Sequence, residues 1–89
     1  MEKELIVNGK TYKIRELLNS EFQAFPRINE SLTKEEQESI NKENIKRETM
    51  LCANITSEEY NNLTYKEYLT LRKAILDINT PEKDFWVAN

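Results

Sequence analysis

The chain contains a single glycine, at position 9, directly after Asn8 and between two short alternating runs. Asn-Gly is the pair that best tolerates positive φ at both central positions of a type I′ turn, whose twist matches that of antiparallel strands. Upstream, Leu5 and Val7 alternate with Ile6; downstream, Thr11-Tyr12-Lys13-Ile14 alternates again. Residues 3–14 are therefore expected to form a β-hairpin. A lone two-stranded hairpin is barely stable in water, so this one must lean on helices or on a partner's sheet edge.

Helix signals fill the rest of the chain. Three Thr-x-x-Glu boxes occur, at Thr33/Glu36, Thr56/Glu59 and Thr64/Glu67. In each the threonine hydroxyl can accept from the third helical N–H while the glutamate reaches back to the threonine N–H. They predict helix starts at about 34, 57 and 65. The first of these helices should run to about residue 54, with Glu38–Lys42 and Glu43–Arg47 as favourably ordered surface pairs and with Ile45, Leu51, Cys52 and Ile55 concentrated toward its end. In the last helix, Tyr68, Leu71, Ile75 and Ile78 form one stripe that Leu69 and Leu76 widen. Asn79 and Pro81 supply its stop. Between hairpin and first box, Ser20 is a candidate cap for a brief helix carrying Phe22 and Phe25, limited by Pro26. The expectation is a mainly α (α+β) fold: an N-terminal β-hairpin followed by three to four helices in a small single domain spanning 1–89. Residues 16–79 are read as helical and 80–89 as a C-terminal tail.

Eighty-nine residues allow one domain with a modest core. Sixteen acids and thirteen bases, well mixed, give a net charge of −3. The densest basic clusters (Lys42, Lys46 and Arg47; Arg72 and Lys73) are interleaved with acids, so no nucleic-acid partner is expected. No run approaches the ~20 apolar residues of a membrane span, and Met1-Glu-Lys-Glu-Leu5 does not resemble a secretory leader. The three Asn-x-Ser/Thr sequons at Asn29, Asn54 and Asn62 are then better explained by turn and cap residues. A cytoplasmic location follows as the expectation.

The chain has no histidine and only one cysteine, Cys52. That removes Ser-His-Asp and Cys-His arrangements and the commonest transition-metal ligand. Leu51 and Ala53 beside Cys52 suggest a buried structural thiol. One glycine cannot build a phosphate-cradling loop, and the acid pairs Glu35-Glu36, Glu58-Glu59 and Glu82/Asp84 lack an enclosing cleft. No catalytic residue, cofactor or metal is expected; the protein should work by binding another protein. The partner-binding candidates are Phe22, Phe25, Tyr60, Phe85 and Trp86, since exposed aromatics anchor interfaces. For Phe22 and Phe25 the core is the simpler location. Phe85 and Trp86, beyond the proline stop, either fold back on the core or form a binding segment.

The order of these parts resembles a known family. A Leu5-Ile-Val-Asn-Gly-Lys-Thr-Tyr-Lys-Ile-Arg-Glu-Leu17 opening precedes a charged helical middle, a Met50-Leu-Cys-Ala-Asn54 helix end and a Thr56-Ser-Glu-Glu-Tyr60-Asn-Asn-Leu63 turn. A closing helix carries Tyr65, Tyr68, Leu71, Ala74, Ile75, Ile78 and Asn79. Over about residues 4–79 this is similar to the tail assembly chaperones of long-tailed bacteriophages and prophages, in hydrophobic spacing and element order. The resemblance implies a non-catalytic chaperone in the host cytoplasm that binds the tape measure protein and keeps it soluble. It further implies help in recruiting tail tube subunits and absence from the mature virion, with self-association left open. Two other classes fit the same residues: a structural virion or head–tail joining component, and a small phage-encoded regulatory binding protein.

Overall fold

The computed structural model describes residues 2–81. The hairpin is β1 (Glu2–Val7) and β2 (Lys10–Arg15), paired antiparallel with Val7 opposite Lys10 and Leu5 opposite Tyr12. Asn8 (φ 51°) and Gly9 (φ 79°) both take positive φ, as a two-residue I′ connection demands. The pleat puts Leu5, Val7, Tyr12 and Ile14 on one face, and the last three are buried. Ile6, on the other face, is exposed.

Four helices follow among the described residues: α1 (Asn19–Gln23), α2 (Lys34–Ala53), α3 (Ser57–Asn61) and α4 (Tyr65–Asn79). The three capping boxes start α2, α3 and α4 as expected. Each threonine Oγ1 accepts from the glutamate N–H at 3.1 Å, and each glutamate accepts from the threonine N–H at 2.8–3.0 Å. Two of the sequon threonines, Thr56 and Thr64, are thus helix caps, and Ser31 of the third sits in a turn whose N–H donates to Asn29 Oδ1. At the far end of α2, Asn54 adopts the left-handed conformation (φ 53°), and its N–H and that of Ile55 both return to the Met50 carbonyl.

The hairpin packs on α2 and α4, and this junction is the core. Ile14, Leu71, Ile75, Thr49 and Cys52 are fully enclosed, with Val7, Tyr12, Ala53 and Ile55 around them. Burying each large aliphatic stabilises by about 1.5–3 kcal/mol. Thr49 is tolerated there because its hydroxyl donates to the Ile45 carbonyl at 2.7 Å and accepts from Arg72.

The cap glutamates also tie the hairpin down. While Oε1 of Glu59 and of Glu67 serves its own helix, Oε2 of Glu59 accepts from Lys10 (3.2 Å) and Oε2 of Glu67 from Asn8 (3.0 Å). The turn is therefore clipped to the first turns of α3 and α4.

Two local expectations are corrected. Ser20 does not cap α1: the N-cap is Leu18, whose N–H donates to Glu21 Oε1 at 2.9 Å. Glu21 is itself held by Arg15, which keeps the carboxylate in reach of the Leu18 N–H and so supports an earlier helix start than a Ser20 cap would give. Leu69 and Leu76 do not widen the buried face of α4; both are exposed, while Leu71 and Ile75 are fully buried and Ala74 and Ile78 pack beside them. No helix of the described residues is long and apolar enough to cross a membrane.

Candidate functional site

The segment between α1 and α2 carries Phe22, Phe25, Pro26 and Ile28 across the flank of α2, opposite Leu76 of α4. It is pinned there by polar contacts. Asn44 Nδ2 donates to the Pro26 carbonyl at 2.9 Å, and Gln37 Nε2 donates to the carbonyls of Leu32 and Asn29. Arg15 grips Glu21 in a two-pronged ion pair, Nη1 to Oε1 at 2.8 Å and Nη2 to Oε2 at 2.7 Å, and also donates to the Glu16 carbonyl. These bonds with Arg15, followed by that from the Leu18 N–H, hold the Glu21 carboxyl down at about 2. Short helix α1 is thereby fixed to the end of β2, and Phe22 and Phe25 lie with ring centroids 6.2 Å apart.

Two adjoining grooves result, with Phe25 in the wall of both. The first, about 460 Å³, has Phe22, Phe25, Ile28, Ile45 and Leu76 as its apolar lining. Arg72 and Glu48 stand in it as an ion pair (2.6 Å) between α4 and α2. The second, about 600 Å³, runs past Ala24, Phe25, Met50, Leu51 and Ile55. Asn44 Oδ1, buried beside the first groove, has no hydrogen-bond partner among the described residues.

The sequence candidates divide. Phe22 and Phe25 meet in one groove wall, but neither is buried core: Phe22 is 54 % exposed and Phe25 half-buried. The expectation of a core position for them is corrected, because the hairpin already closes the core and α1 is clamped outside it. Tyr60 lies elsewhere. It meets Tyr68 edge-on with centroids 6.1 Å apart, has Lys46 Nζ 5.8 Å from its ring centre, and lines a smaller depression with Lys42 and Tyr68. Burial, then the neighbouring Tyr68, pushes its phenol above the ordinary value. Phe85 and Trp86 lie outside the described residues. Ile28 and Leu76, neither of them a sequence candidate for binding and Leu76 expected in the core face of its helix, join the aromatics in the groove wall, and Leu76 is 55 % exposed. Its position off the Leu71–Ile75 stripe was the available signal.

Cys52 is fully buried, and that burial raises its thiol pKa, with Asn79 Nδ2 partly opposing at 3.9 Å. Among the described residues no cluster of three His, Cys, Asp or Glu side chains is placed to hold a metal. The grooves offer apolar walls with a charged rim, a surface suited to receiving the apolar ridge of another chain. No family model, curated protein or solved structure matches this chain.

Proposed function

We propose that the protein is a tail assembly chaperone of a long-tailed bacteriophage or prophage. In this reading it acts in the host cytoplasm, binds the tape measure protein and keeps it soluble, helps recruit tail tube subunits, and leaves before the particle is complete. The observation that carries the binding part is the paired groove, in which Phe22, Phe25, Ile28 and Leu76 stay accessible beside a closed core. Apolar grooves of this kind receive amphipathic helices through side chains at i, i+3, i+4 and i+7. A long helical client offers many such segments, so copies that bind weakly one by one gain by multivalency. The net negative charge favours solubility of the loaded client.

The test is co-expression of the full chain with a candidate tape measure protein from the same genome. The client should move from the insoluble to the soluble fraction, and a Phe22→Ser, Leu76→Ser chain, folded by circular dichroism, should lose most of that effect. A client equally soluble without the chain, or the chain persisting stoichiometrically in purified particles by mass spectrometry, refutes the reading.

A further inference from the structure

The chain has four arginines and nine lysines. All four arginines, Arg15, Arg27, Arg47 and Arg72, line the two grooves, and among the described residues no lysine does. Lysines line the other depressions instead, Lys42 and Lys46 near Tyr60 and Lys10 and Lys13 along the hairpin. Among the described residues Glu21 and Glu48 are the only acids that line the grooves, so this face is positive on a protein whose net charge is −3.

Those two acids are already committed, Glu21 to Arg15 and Glu48 to Arg72. The other two arginines are not matched in the same way. Arg27 contacts the neutral Gln23 Oε1 at 2.5 Å, and Arg47 meets the exposed Glu43 at 3.5 Å, a carboxylate outside both groove linings. Arg27 borders one groove and Arg47 the other, with Phe25 between. Arginine suits such a place: its planar fork is weakly hydrated, lies against apolar and aromatic surface, and pairs with carboxylates through two parallel bonds.

We infer that the grooves receive an amphipathic helix whose apolar stripe is flanked by glutamate or aspartate, the carboxylates pairing with Arg27 and Arg47. The inference rests on the proposed helix-binding role and names the chemistry of the segment bound. The apolar walls favour such a helix over a phosphate backbone, which would leave Phe22, Ile28 and Leu76 uncovered. A helix flanked by lysine is repelled by the rim.

The test uses the full chain and labelled helical peptides of about 20 residues, roughly 30 Å of helix. They share one set of apolar residues at i, i+3, i+4 and i+7 and differ only in flanking Glu, Gln or Lys. By fluorescence anisotropy at about 50 mM salt, the Glu peptide should bind roughly ten-fold more tightly than the Lys peptide, and the gap should shrink near 300 mM as charges are screened. Arg27→Gln with Arg47→Gln should bring the Glu peptide to the affinity of the Gln peptide and leave the latter unchanged. Equal binding of Glu and Lys peptides, both lost with Phe22→Ser, overturns the acidic preference while the helix-binding role stands. Binding of no peptide at all overturns both. A selective acidic site in a chain that fails to rescue the tape measure protein supports this inference and removes only the chaperone reading. Displacement of the Glu peptide by a single-stranded oligonucleotide at equal concentration assigns the arginines to nucleic acid and overturns it. So does a Phe85→Ser, Trp86→Ser chain that binds all three peptides tightly and alike, which assigns the grooves to residues 82–89. A stable dimer that the Glu peptide neither binds nor dissociates assigns them to a second copy and likewise overturns it.

Discussion

Replacing Asn79 with alanine should cost the fold about 2 kcal/mol, although the residue stands at the last position of a helix. Its Oδ1 accepts from the Leu17 N–H at 2.8 Å, across 62 positions of sequence, and its Nδ2 donates to the Ile75 carbonyl at 2.8 Å. The Ile75 carbonyl already lies within the helix ladder, so losing the second bond matters little. The contact with Cys52 Sγ, at 3.9 Å, is weaker still. Leu17 decides the outcome: it is half-buried between the hairpin and α1, and an N–H left without a partner there costs about 1–3 kcal/mol. In a domain of this size 2 kcal/mol lowers Tm by roughly 8–16 °C, readable by circular dichroism and by urea titration. Asn79→Asp separates the two bonds. It keeps an acceptor for Leu17 but turns a carboxylate oxygen toward the Ile75 carbonyl, at the negative end of α4. Its folded-state pKa should therefore lie above the unfolded value of about 3.9. The deficit should then be small below that pH and grow as pH rises through the folded pKa. An Asn79→Ala loss under ~0.5 kcal/mol, less than an ordinary hydrogen bond, would mean that water satisfies Leu17 and that the staple reasoning is wrong.

Three further outcomes rest on the same network of contacts. Acid should unfold the protein between about pH 4.5 and pH 2. The carboxyls of Glu21, Glu36, Glu59 and Glu67 are all lowered in the folded state, Glu21 to about 2, so their contribution is present above the unfolded value and lost as pH falls through the folded ones. Glu21→Gln should flatten that limb in a pH series of urea midpoints, and an unchanged slope refutes the assignment. Arg72→Met should cost about 1–3 kcal/mol, since it removes the partner of Glu48 and a donor to Thr49 while Glu48 stays accessible enough to be hydrated. A double-mutant cycle with Glu48→Gln that gives no coupling speaks against the pair. The Cys52 thiol, enclosed and raised in pKa, should react with a disulfide reagent only at the rate of opening. Labelling as fast as that of the unfolded chain contradicts its burial.

What the sequence made legible was local. The Asn8-Gly9 turn and the three Thr-x-x-Glu boxes are set by interactions within four residues, and each appears at its expected position. The interactions that assemble the fold were not legible, because they reuse residues already explained. Glu59 and Glu67 look fully spent as caps, yet each has a second oxygen for the hairpin. Asn79 reads as a helix stop, yet its amide reaches Leu17. Ser20 is the better cap by residue preference, yet the helix is capped at Leu18, whose N–H is met by Glu21, a carboxylate that Arg15 holds from outside the helix. Arginine sorting was hidden for a similar reason: the four arginines are scattered at 15, 27, 47 and 72, and only the folded chain gathers them.

The same clamps bear on whether the grooves are a leftover of a small core or a built surface. Full burial of a side chain such as Phe22 is worth about 1.5–3 kcal/mol, and a domain of this size has little stability to spare. A segment free to move would be expected to fold Phe22 inward. It is instead held off the core by the two-pronged Arg15–Glu21 pair, by Asn44 on Pro26 and by Gln37 on Leu32 and Asn29. The Asn44 staple even leaves its own Oδ1 without a partner among the described residues, an arrangement that an apolar collapse would avoid. Polar interactions that keep the Phe22 ring in solvent work against the simplest route to stability, and a conflict of that kind between local arrangement and folding favours the proposed binding role over a leftover of a small core.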